Sequence, residues 1–140
     1  MTSTARRPSA RRRLTAASVA AVTIIVGLAV HRLGTGDIGD IAGDALYAAL
    51  IYLILVILLP RSPRRVLAAA AIIFCTVIEM LQLTDVPTTI ATGFPPAFLL
   101  FGASFDQRDI IVYAFAIVII MLADAAIARH VRPRAHARTR

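Results

Sequence analysis

Residues 66–83 read VLAAAAIIFCTVIEMLQL, and their interpretation decides what kind of object the chain is. The run is about as long as the roughly 20 residues needed to cross the hydrocarbon core of a bilayer. It nevertheless carries Glu79 and Gln82 three positions apart, on one face of a helix. An ionisable group at membrane depth costs several kcal/mol unless it is paired, neutralised or wetted. The segment therefore reads as a membrane helix with a polar site near one end.

Working outward, the same apolar pattern recurs. Leu14 to Val30 is a first apolar run, Ala45 to Leu59 a second that reaches spanning length when started at Ile41, and Ile110 to Ala128 a fourth. The 140-residue chain is 59% hydrophobic, which leaves little for a water-soluble core. The expected fold class is all-α: a polytopic membrane protein with four transmembrane helices in a small bundle, at about 14–30, 41–59, 66–83 and 110–128. Residues 1–13 and 129–140 are basic tails. Residues 31–44 read as a Gly-rich loop closing on Asp44 as a helix cap. Pro60 and Pro63 bound a short basic turn. In the long 84–109 connection, Asp85, Pro87, Gly93, Pro95 and Pro96 are expected to break any helix, and the piece at 90–105 reads as surface-lying or re-entrant. A basic region followed by an apolar run also describes a signal peptide. No small-x-small cleavage site precedes His31-Arg32, so the first run reads as a retained helix.

All fifteen basic residues besides histidine are arginines, and the net charge is +7. Thirteen of these arginines fall in the N-terminal tail, the 60–65 turn and the C-terminal tail; only Arg32 and Arg108 fall in the other two connections. The excess of arginine in cytoplasmic segments predicts both termini in the cytoplasm and both Asp-rich connections outside. The arginines sit where membrane topology places them, so no specific nucleic-acid partner is expected. The expected partners are the lipid bilayer and anionic lipid headgroups, touched by the arginine tails, and a homo-oligomer is compatible with the alanine-rich helices. One cysteine, Cys75, excludes an internal disulfide. A Cys75/His31/Arg32 nucleophilic set is conceivable, but a lone cysteine in a span is usually a small hydrophobe. Asp124 reads as snorkelling or solvated close to Arg129, and Tyr52 as a hydrogen-bonded packing residue.

The topology carries polar residues of three helices to one level. Asp44 and Tyr47 stand at the start of the second span, Glu79 and Gln82 at the end of the third, and Asp106, Asp109 and Tyr113 at the start of the fourth. With Arg32 they form the candidate binding set. It suits a lipid headgroup or a cation, although no cofactor or resident metal is implied. Other uses are a proton-exchanging carboxylate, oxygen ligation of a hard cation by Asp44, Glu79 and Asp109, an enzyme acting on a lipid-linked envelope substrate with Glu79 or Asp109 as base, and an oligomeric transporter. Purely structural uses are helix capping by Asp44 and Asp106 and fastening by Glu79 to a tyrosine or Arg32.

Taken in order, Gly43-Asp44-Ala45-Leu46-Tyr47, Glu79-Met80-Leu81-Gln82-Leu83, Phe105-Asp106-Gln107-Arg108-Asp109-Ile110 and Tyr113 resemble a bacterial integral membrane family known as domain of unknown function 2809. The resemblance covers about residues 26–122 and implies four spans in the bacterial inner (cytoplasmic) membrane with an outer-face polar cluster, without supplying an activity. The Glu-x-x-Gln element and the acidic helix start also resemble the broader VanZ-like group, linked to glycopeptide resistance. The chain departs from that group in lacking its Asp/His pair and its later Arg and Asn.

Overall fold

The computed structural model describes residues 8–84, 86–94 and 105–130. Every element in it is helical: α1 (Pro8–Leu33), α2 (Gly36–Leu58), α3 (Arg64–Leu81), α4 (Val86–Gly93) and α5 (Gln107–His130). Helix α2 is the centre of the arrangement. It packs along α1 on one side and against α5 and α3 on the other, and α3 also packs on α5.

The reason lies in which side chains each helix can bury. Helix α2 turns Ala48, Tyr52 and Val56 inward, four residues apart and so on one row. Helix α1 offers Ala16 and Ala20, α3 offers Leu67, Ala68, Ala71 and Cys75, and α5 offers Tyr113 and Ile117. Small residues on α1 and α3 let backbones approach closely, which is how helices associate when lipid removes the hydrophobic drive between them. The exterior is apolar instead: Ile25 on α1 and Phe115 and Ile119 on α5 are each about two-thirds exposed, at 68%, 68% and 65%. Apolar exposure on that scale marks contact with something other than water.

Three helices are long and apolar enough to cross a membrane, over Ser9–Leu33, Gly36–Leu58 and Gln107–His130, and they make this a multi-pass membrane protein. Helix α3 does not meet that measure, because its 18 residues include Arg64, Arg65 and Glu79.

Two expectations about the connections are corrected. The stretch 31–44 is not a loop ending in a cap at Asp44. Helix α1 runs to Leu33 and α2 begins at Gly36 behind Thr35, so Asp44 lies two turns inside α2. The glycines make a close hairpin there. Gly34 donates its N–H to the Val30 carbonyl at 2.6 Å, Gly36 takes φ +65°, and a Cβ on Gly39 would stand 2.9 Å from the Gly34 carbonyl carbon. Glycine lowers helix propensity by about 1 kcal/mol, which the apolar continuation through Ile38 and Ile41 tolerates.

The second correction is α4, which forms despite Pro87 and Gly93. Pro87 is its second residue, where the missing N–H has no intrahelical acceptor to lose, and Gly93 is its last. The apolar piece at 97–101, and with it most of the re-entrant segment expected at 90–105, lies outside the described residues.

Candidate functional site

The hairpin sets a common level for the end of α1, the start of α2, the end of α3 and the start of α5, and the candidate residues gather there. Glu79 is the deepest of them, with no exposed surface. One carboxylate oxygen accepts the backbone N–H of Asp106 at 2.8 Å, and the other accepts the Tyr113 hydroxyl at 3.1 Å. Asp106 precedes the first residue of α5 and accepts the N–H of Arg108 at 2.8 Å, which is N-cap geometry. Glu79 thus fastens the end of α3 to the capped start of α5, with both oxygens engaged.

Asp44 and Asp109 form a second layer. Their carboxyl groups, from α2 and α5, lie close enough to interact, and Asp40, one turn earlier on α2, lies in electrostatic reach of both. Two carboxylates in contact repel unless a proton or a cation lies between them. Arg108 stands at the rim, 3.5 Å from Asp106 and 3.7 Å from Asp109. Tyr47 packs its ring on Tyr113 with centroids 6.1 Å apart and planes tilted by 60°. The Tyr47 hydroxyl and Oδ1 of Asp109 are buried without a hydrogen-bond partner among the described residues. Gln82 is the half-buried C-cap of α3. Arg32 is exposed in the last turn of α1. The described residues at this end carry six acids, Asp37, Asp40, Asp44, Glu79, Asp106 and Asp109, against two arginines, Arg32 and Arg108.

No three His, Cys, Asp or Glu side chains among the described residues are arranged to hold a metal ion as they stand. Cys75 is buried on the α3 face turned to the core, whereas His31 and Arg32 are exposed at the end of α1.

The opposite end holds a polar junction where the sequence suggested only a solvated acid. Asp124 does not lie free near Arg129. Its Oδ2 accepts hydrogen bonds from Arg12 Nη2 at 2.8 Å and the Tyr52 hydroxyl at 3.0 Å, and Arg64 Nε stands 3.0 Å away as an ion-pair partner. Arg12 also donates to the carbonyls of Pro60 and Ser62, both at 3.0 Å. Arg13 donates to the carbonyl of Ile57 at 2.7 Å. One carboxylate therefore ties α1, α2, the α2–α3 turn and α3 to α5. The signal available in sequence was the deep placement of Tyr52, whose hydroxyl needed an acceptor inside the bundle.

The family model described as "Protein of unknown function (DUF2809)" matches residues 34–117, more than half of the chain. The chain belongs to that family. The match runs from the hairpin to Ile117 and takes in every candidate residue of the acidic end except Arg32. Arg12 and Asp124, the principal pair of the basic end, both lie outside it. No curated protein and no solved structure matches the chain.

Proposed function

We propose that this DUF2809 member is a four-span protein of the bacterial cytoplasmic membrane whose acidic end faces outward and binds a cation, free or carried on a lipid headgroup. The observation that carries the reading is the approach of Asp44 and Asp109, two carboxyls from different helices, with Oδ1 of Asp109 buried without a hydrogen-bond partner among the described residues and Arg108 Nε 3.7 Å from it. A cation between the two carboxyls removes their repulsion and gives the buried Asp109 oxygen a partner. Glu79 supports the site from below by holding the start of α5 in place.

Support for a fourth span comes from the course of α3. Its 18 residues give about 27 Å of axial length, close to the roughly 30 Å hydrocarbon thickness. It begins at the Asp124 junction and ends at the Glu79 fastening, so it joins the same two levels as α2 and α5. Its charges sit at its two ends, which leaves Val66 to Ile78 uncharged. The arginine asymmetry supports a cytoplasmic placement of the Asp124 end.

Two measurements test this. In a Cys75→Ala background, single cysteines at Asp40, Ser62, Ile90 and Ala135 are exposed in intact cells to a membrane-impermeant thiol reagent. Labelling at 40 and 90 only is expected, and labelling at 135 would refute the orientation. For binding, the purified protein in lipid-free detergent is unfolded with and without MgCl2 or CaCl2. A ligand at one hundred times its Kd stabilises by about 2.7 kcal/mol, so the midpoint is expected to rise. The Asp44→Asn/Asp109→Asn double variant is expected to be insensitive to the salt. Equal responses from both proteins would overturn the cation reading, and a response to phosphatidylethanolamine alone would assign the ligand to a lipid headgroup.

A further inference from the structure

The basic end sorts its arginines into two groups. Arg12, Arg13 and Arg64 are turned onto protein acceptors. Arg61 and Arg65 are exposed in and just after the turn between α2 and α3. The acid at this end among the described residues, Asp124, is already engaged by two guanidiniums, so the charge of Arg61 and Arg65 is not compensated by a neighbouring carboxylate.

Two further features bear on what these arginines meet. The residue before α3 is Pro63, which gives no side-chain cap, so the positive end of the α3 dipole opens beside them. Below Arg65, residues 69, 73 and 77 follow at intervals of four and lie on one line of α3. Ala69 is exposed, and Ile73 and Val77 are 63% and 51% exposed. On the other side of the turn, Leu58 and Leu59 are 63% and 52% exposed. Positive charge therefore stands directly above an uncovered apolar track.

We infer that this turn and the adjoining line of α3 seat one anionic phospholipid, its phosphate on Arg61 and Arg65 and an acyl chain along Ala69, Ile73 and Val77. Charge complementarity selects the headgroup and the track selects a lipid over a free anion. The seat is separate from the acidic site and lies at the opposite end of the helices.

The test titrates the purified full chain in neutral detergent with phosphatidylglycerol or phosphatidylcholine and reads retained lipid by native mass spectrometry. Phosphatidylglycerol is expected to be retained in preference. Each arginine near a charged surface contributes about fivefold in affinity, so Arg61→Gln/Arg65→Gln is expected to weaken retention about 25-fold. Arg11→Gln/Arg129→Gln removes the same charge from exposed positions at the same end and is expected to leave retention within about twofold. Equal loss in the two double variants, absence of a preference for phosphatidylglycerol, or displacement of the lipid by millimolar inorganic phosphate would each overturn the assignment.

Discussion

Replacing Asp124 with alanine is expected to destabilise the protein by about 3 kcal/mol, read as a shift in the unfolding midpoint when SDS is titrated into mixed micelles. The size follows from what the carboxylate leaves behind. Arg12 and Asp124 are only 15% and 16% exposed, and Arg64 shares the same oxygen. Removing the acid leaves the Arg12 guanidinium with its carbonyl acceptors but no counterion, and takes the acceptor from the hydroxyl of fully buried Tyr52. The attraction itself is a smaller quantity than this loss, because desolvating the ions offsets much of it. The triple replacement Arg12→Met/Arg64→Met/Asp124→Leu is therefore expected to recover most of the stability. A loss below about 0.5 kcal/mol for Asp124→Ala would place the junction with solvated surface pairs.

The second large effect is at Glu79. Glu79→Ala removes the acceptor of two donors, the Asp106 N–H and the Tyr113 hydroxyl, from a residue with no exposed surface. An unsatisfied buried donor costs about 1–3 kcal/mol, so a loss of about 3 kcal/mol is expected once the cavity is included. Glu79→Gln keeps the volume and one acceptor oxygen for the Asp106 N–H, while its amide nitrogen can donate to a rotated Tyr113 hydroxyl. A loss of about 1 kcal/mol is expected for it. Equal damage from the two substitutions would show that the start of α5 requires the negative charge itself, and hydrogen bonding alone would not explain the fastening.

These two positions also show what could be read from the chain beforehand. Hydropathy located the long helices because lipid-facing surfaces such as Ile25 and Phe115 need to be apolar whatever they pack beside. The grouping of Asp44, Glu79 and Asp109 was legible for a similar reason: antiparallel succession brings alternate helix ends to one level, and counting residues along each helix gives the depth. Boundaries were less legible. Glycine and proline are usually read as breakers, yet at Gly34 and Gly39 the absent Cβ serves close approach, and at Pro87 the absent N–H falls where a helix has none to lose. The Asp124 junction was hidden for another reason. Arginines at the ends of spans are expected from topology alone, and nothing in their spacing tells which of them, Arg12 and Arg64 rather than Arg11 and Arg65, turn inward. That choice depends on helix rotation, which packing sets.

The hydrogen bond from Arg12 to Asp124 joins residues 112 positions apart, whereas those from Arg12 to Pro60 and Ser62 span 48 and 50. A ribosome adding about 5–20 residues per second needs roughly 3–12 seconds to make the difference. During that interval both carbonyl acceptors of Arg12 have been synthesised and its counterion has not. The ion pair with Asp124 is therefore a contact that only a nearly finished chain can make, whereas the bonds to the backbone turn need little more than the first two helices.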